Sequence, residues 1–246
     1  MHLSIGVVIY IFFEYMRDKL SKIQNRLKQH RVFTKSSFFC CFFRVSGYTF
    51  YMNLENRLIG ISAFAKSGKD TVCSLMNKRL IELGYRPVKF PFASELKKRI
   101  DPFLSKEMGI SAFTKNPSEK DIIRPFLVLY GETAREIYED YWVELVKHQI
   151  EMFDEAYAKD GARMFPVITD VRYENEAKMI QGKGGKILHI EREGVSAPNA
   201  SEEKNHPIVR GMADLILEWP TFENEEDLST KGYELVKKTL KDLIDE

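Results

Sequence analysis

Long hydrophobic runs are missing from this sequence. The apolar stretch from Leu3 to Phe13 is 11 residues long, about half of what a helix needs to cross a bilayer. No basic residue precedes it and no small-residue cleavage site follows it, so it is a poor export signal. Cysteine is scarce. Cys40, Cys41 and Cys73 form an adjacent pair and a lone residue, which excludes a disulfide framework and offers no metal-ligand spacing. Net charge is nearly absent as well, at +1, so the molecule as a whole is not built for unspecific attraction to nucleic acid or membrane. A reducing, cytoplasmic setting is the expectation, with no nucleic-acid partner and no stable membrane association. No Cys/His metal cluster and no nucleophile–base pair stand out.

What is present divides at a seam. Residues 1–52 carry 8 Lys/Arg and 2 Asp/Glu, and they hold 12 of the 30 aromatic residues. The remainder has 29 basic and 34 acidic residues. The first segment, 1–51, reads as a basic, aromatic-rich extension. It suits a membrane-surface helix, a partner-binding arm, or a stretch outside the working protein. The last reading is preferred, because Met52 stands just before "NLENRLIGIS", a natural beginning.

From residue 57 onward apolar runs alternate with helical patterns. "RLIGISAF", "RPVKFPFA", "MFPVITDVR", "KILHIER" and "MADLILEW" read as strands. "KDTVCSLMNKRLIELG" reads as a helix stopped by Gly84. "SELKKRI" opens another with Ser94 as its cap, and residues 102–123 read as a loop with a helix-start signal in "TKNPSEKD". A long helical region follows over 121–161, with a break expected near Gly131. "YENEAKMIQGKGG" is a short helix, 193–211 a polar loop, and residues 225–246 a closing helix. Apolar strands alternating with helices imply a parallel sheet covered on both faces. The expected fold is therefore α/β, three layers, with a central parallel sheet of about five strands.

Between the first strand and the first helix lies "GISAFAKSGKDTV", residues 60–72. It nearly matches the phosphate-loop pattern G-x-x-x-x-G-K-[ST]. Ala63 replaces the first glycine and Asp70 replaces the hydroxyl residue. Such a loop turns backbone N–H groups inward, next to a helix N-terminus, and so makes a concave anion site. Ala65, Lys66, Ser67 and Gly68 would line it, Gly68 allowing unusual dihedrals. Lys69 supplies a point charge for terminal phosphates. Ala63 is tolerable at negative φ. In place of the usual hydroxyl, Asp70 offers a carboxylate that can meet Mg²⁺, and Thr71 is the alternative ligand. The bland rival is a helix cap.

The string "AKSGKDTV" resembles the variant loop of bacteriophage deoxynucleoside monophosphate kinases; phosphomevalonate kinases of animals have a similar Gly-Lys-Asp loop. "LVLYGETAREIYEDYWVELV" and "VITDVRYENEA" are similar to two further stretches of the phage group, in the same order. The resemblance covers residues 57–243 and nothing before Met52. It implies a P-loop nucleotide kinase fold over 52–246. The implied activity transfers the γ-phosphoryl of ATP to a deoxynucleoside monophosphate with Mg²⁺, on small-molecule nucleotides as partners. It implies that Arg135 faces the acceptor's phosphate, against the alternative of pairing with Glu139.

Other residues fit this frame. Asp170 ends an apolar strand, where such a carboxylate holds Mg²⁺ or merely caps a helix. The fork of Arg172 suits phosphate oxygens, with Glu174 or Glu176 as rival partners. Trp142 either stacks on a base or fills the core. Lys97 and Arg124 are acceptor-site cations or members of a solvated face. Helical residues 92–150 form the acceptor region. Arg192 leads into loop 193–211, whose Lys204, His206 and Arg210 suit a lid that excludes water. A homodimer is a possible assembly. The alternatives are a kinase of another small acceptor, resembling dephospho-coenzyme A or a phosphorylated alcohol such as phosphomevalonate, or a non-catalytic ATP-binding module.

Overall fold

The computed structural model describes residues 57–197 and 200–244; the expectation for segment 1–51 lies outside them. Two compact units are distinguished. The larger carries the sheet and the candidate site residues described below, and the described part of the smaller is 103–111.

The strands are β1 (Ile59–Ala63), β2 (Arg86–Lys89), β3 (Met164–Thr169), β4 (Lys186–Glu191) and β5 (Leu215–Glu218). The helices are α1 (Lys69–Glu82), α2 (Phe92–Met108), α3 (Pro117–Ile137), α4 (Tyr141–Lys159), α5 (Glu174–Gly182), α6 (Ala200–Gly211) and α7 (Tyr233–Ile244), the last preceded by a short helix and a π turn over 225–232. All sheet neighbours run parallel, in the order β2-β3-β1-β4-β5. The chain is thus an α/β protein with a five-stranded parallel sheet flanked by helices, as its alternating pattern implies. β3 is buried along its whole length, and β1 and β4 nearly so, whereas the edge strands β2 and β5 are partly exposed. This is what continuous apolar runs in the centre of a covered parallel sheet require. One face packs on α1 and α7 through Ile59, Ile61, Met76, Leu80, Phe165, Leu188, Val236 and Leu240. The other face meets α4 and α5.

The connection after β1 runs to one edge of the sheet and that after β4 runs to the other. The carboxyl ends of these adjacent strands therefore form a switch point, the place where open α/β sheets bind ligands.

Several element boundaries differ from the sequence reading. Helix α2 starts at Phe92, so Ser94 lies inside its first turn, and it continues to Met108, through part of the expected loop 102–123. Asn116 caps α3 by accepting the Ser118 N–H (3.1 Å), with Pro117 in the first turn, where its missing N–H costs nothing. The long helical region breaks at 138–140 rather than at Gly131. At Gly131 an added Cβ would stand 2.8 Å from Leu96 Cδ1: the glycine serves close helix packing, not a break. Part of the expected lid loop, 200–211, is α6; Pro207 and the polar composition hide a helix that buries Val209. Among the described residues no helix is long and apolar enough to cross a membrane.

Trp142 belongs to the core. It is 2% exposed, donates its indole N–H to the Gly131 carbonyl at 3.2 Å and meets Tyr130 and Tyr141 edge-on. Its expected role in stacking on a base is not met. Trp142→Ala is expected to cost about 3–5 kcal/mol, as large-to-small core changes do, measured by urea unfolding. A loss below about 1 kcal/mol would contradict this placement.

Candidate active site

The loop after β1 has the backbone of an anion cradle. Lys66 (φ 71°) and Gly68 (φ 86°) are both left-handed, and the Ser67 N–H donates to the Phe64 carbonyl (3.3 Å). Alternation of handedness turns successive N–H groups to one side. The first bond of α1 runs from the Val72 N–H to the Gly68 carbonyl (3.0 Å), and Gly68 offers no side-chain cap. The N–H groups of Lys69, Asp70 and Thr71 thus precede the helix's own bonding and point out of its positive end. Glycine is required at 68 twice over. Its φ is one that side chains rarely adopt, and an added Cβ would run into the indole ring of Trp219. Ala63 sits in strand conformation at the end of β1, so nothing there needs a glycine. Ser67 is buried, Ala65, Lys66 and Asp70 are exposed, and Thr71 is half-buried.

Lys69 pairs with Asp170, at the end of the adjacent strand β3. Asp170 is itself left-handed (φ 66°), a conformation that costs a non-glycine residue about 1–3 kcal/mol and concentrates at functional sites. The next N–H, of Val171, donates to Ile61 of β1 (3.1 Å), which fixes the turn.

Lys97, on α2, joins them. It is half-buried, and its ammonium is pushed below its ordinary pKa chiefly by burial. Asp170 opposes that shift, while Lys120, Arg172 and Lys69 add to it. No carboxylate pairs with Lys97 among the described residues. The Arg172 guanidinium donates to Glu202 of α6 (3.0 Å), not to Glu174 or Glu176. Arg135 donates to Glu176 (2.9 Å) rather than to Glu139, donates to the Gly131 carbonyl (3.2 Å), and lies 3.7 Å over the Tyr173 ring. Glu176 is fully buried. Burial pushes its carboxyl up, opposed by Arg135 and by the N–H groups of Arg172 (2.8 Å) and Tyr173 (3.2 Å), which it accepts. Asn175 ties the α3–α4 junction by donating to the Glu139 carbonyl and Asp140. The stretch "DVRYENEA" therefore places Asp170 and Arg172 on a hydrogen-bonded frame built by its own Glu and Asn. Arg124 stands apart from this frame: it is 59% exposed and 3.6 Å from Asp121 on the same helix, which is the solvated-face alternative.

Beside the cradle opens a cavity of about 640 Å³, lined by Phe64, Ser67, Arg192, Trp219, Pro220 and Leu235 among others. Arg192, on its wall, donates to Thr221 Oγ1 (3.0 Å). Trp219, 4% exposed, was not singled out from the sequence. Its only signal there is an aromatic residue before proline at the end of a strand. Glu202 has no local pattern pointing to its distant partner, and Glu176 reads in sequence only as a rival partner of Arg172, not as the partner of Arg135. The structure also brings together His189, Glu191 and His206, where the sequence shows no cluster.

No protein-family model matches the chain, and no curated protein sequence does. Among solved structures, an unliganded sugar kinase of Janibacter sp. HTCC2649 matches with 11% identity, over 75% of this chain and 92% of that one, at a TM-score of 0.36. The structure of APE1195 matches with 14% identity, over 74% and 96%, at a TM-score of 0.31.

Removing the Glu176 carboxylate leaves the Arg135 guanidinium and two N–H groups without their acceptor. Glu176→Ala is therefore expected to cost about 3–5 kcal/mol, the range for a broken buried pair, read from the urea midpoint. A midpoint like that of the unaltered chain would show that Arg135 is held by something else.

Proposed function

We propose that the chain is an ATP-dependent kinase that transfers the γ-phosphoryl group of ATP to a deoxynucleoside monophosphate. The observation that carries the reading is the cradle: two left-handed residues, uncapped helix N–H groups and the Lys69–Asp170 pair converge at the switch point of the sheet. Backbone N–H groups of residues 64–69 hold the donor phosphates, and Lys69 exchanges its carboxylate for a phosphate oxygen. The aromatic and apolar cavity next to it, with Arg192 at its wall, suits a nucleoside. Asp170, with Asp70 or Thr71, offers the hard oxygen donors that Mg²⁺ prefers. When bound, the ion supplies charge neutralisation to the phosphates.

Lys97 and Arg172 hold the acceptor's phosphate, with Arg135 keeping the frame and the field. An oxygen of that phosphate attacks the γ-phosphorus, the bond from phosphorus to the β–γ bridging oxygen breaks, and ADP leaves. The attacking oxygen is already ionised at neutral pH, so no strong base is required, and the protein's work is positioning and neutralisation. The choice of a deoxynucleoside monophosphate comes from the resemblance of the three motifs to the phage kinases.

Two measurements test this. Lys69→Ala is expected to lower transfer at least about 100-fold, the scale on which a lost electrostatic donor acts, with an unchanged circular dichroism spectrum. A fully active Lys69→Ala protein would contradict the proposal. In a coupled ADP-release assay, at least one deoxynucleoside monophosphate is expected to stimulate turnover. Saturable ATP·Mg²⁺ binding with no stimulation by any of them would leave the cradle and remove the acceptor assignment.

A further inference from the structure

His189 and Glu191 lie two apart on β4, so their side chains leave the same face of the strand. His206 of α6 reaches the same point from the outside. His189 Nε2 and His206 Nε2 face each other at 3.0 Å, Glu191 Oε1 is 3.7 Å from His189 Nε2, and one ligand atom from each of the three lies within 4.8 Å of the other two. Two nitrogens bound to one tetrahedral ion at the usual Zn–N distance stand about 3.4 Å apart. The observed spacing is thus close to a ligand set before any adjustment.

The rings are held in place. His189 is fully buried, and His206 stacks on Phe64 with centroids 4.2 Å apart and planes 21° from parallel. Glu191 is oriented by Arg210, whose Nε donates to Oε1 at 2.5 Å, while Nη2 is 3.5 Å from Oε2. His206 and Glu191 also line the 640 Å³ cavity, so a fourth position has room for water or another donor.

We propose that His189, Glu191 and His206 bind a divalent transition ion of the Zn²⁺ class, which fastens α6 to β4. Two imidazoles and one carboxylate suit zinc and its late first-row neighbours, not Mg²⁺ or Ca²⁺, which take oxygen. In the ion-free protein one ring donates its Nε2 proton to the other. On binding, both rings carry their proton on Nδ1 and both Nε2 lone pairs turn to the ion. Glu191 gives the ion Oε1, the oxygen that faces His189 and that Arg210 Nε also holds, so the arginine stays on the carboxylate. The site is separate from the donor set at Asp170, and α6 also carries Glu202, the partner of Arg172.

The test is calorimetric titration of the chelator-treated full chain with ZnCl₂ alone, followed by the thermal midpoint with and without the ion. One micromolar or tighter site is expected, with a midpoint that rises with Zn²⁺ concentration. Co²⁺ in the same protein is expected to give visible absorption of a tetrahedral nitrogen–oxygen set. His206→Ala and Glu191→Gln are each expected to weaken the site at least tenfold, and the exposed His148→Ala to leave it unchanged. Replacing His2, His30, Cys40 and Cys41 together controls for ligands in the first segment and is expected to retain the site. Glu191→Gln keeps the size of its side chain, so it decides the matter if His206→Ala does not fold. Equal affinity in the unaltered chain and Glu191→Gln, or loss of the site in the four-residue control, would overturn the proposal.

Discussion

The contact between Lys69 and Asp170 joins the ends of the two central strands and fixes the shape of everything around it. Lys69 begins α1, and Asp170 closes β3. Their side chains are only 19% and 16% exposed, so the pair sits where screening by water is weak. Asp170 accepts a left-handed backbone to reach it, at a cost of about 1–3 kcal/mol. The parallel register of β1 and β3, with Val171 bonded to Ile61, holds that backbone in place. The loop before Lys69 is then bounded by a fixed cation at one end and by β1 at the other. Trp219 presses against its glycine, and the N–H groups of Lys69, Asp70 and Thr71 at the start of α1 point out of the turn.

The outline of the fold was legible because the central strands are buried on both faces. That burial demands continuous apolar runs such as "MFPVIT", and Gly84 with its left-handed φ stops α1 where helix-end chemistry says it must. The turn between β1 and α1 was legible for the same local reason: its residues are contiguous and flanked by a strand and a helix. What stayed hidden depends on distance along the chain. Arg135 and Glu176 are 41 residues apart, and a nearer carboxylate, Glu139, is the pairing that helical spacing suggests. The partner of Arg172 lies on α6, a helix that polar composition and Pro207 disguise as a loop. Gly131 reads as a helix breaker because sequence cannot show that Leu96 needs the space. His189 and His206 are 17 residues apart on different elements, too far for a ligand-spacing pattern to register.

The ion pairs of the site sort into two kinds by burial, and the sorting separates frame from function. Glu176 is 2% exposed and accepts from Arg135 and from two backbone N–H groups. Breaking such a pair is costly, so Arg135 is a fixed part of the scaffold. Arg172 is 41% exposed where it meets Glu202, itself 10% exposed, so this pair is open to water on one side and less costly to part than the buried one. The Arg172–Glu202 contact is therefore the looser of the two, and among the described residues no carboxylate pairs with Lys97. Lys97 thus lies in the field of three other cations, Lys120, Arg172 and Lys69, with Asp170 opposing them. Burial already presses the Lys97 ammonium toward its neutral form, and an entering phosphate would relieve that pressure while displacing Glu202 from Arg172. In the free protein, Asp170 on Lys69 and Glu202 on Arg172 place carboxylate oxygens where phosphate oxygens are proposed to go. On that proposal one anion substitutes for another, which would let the cluster of cations stay folded without a ligand and still bind one.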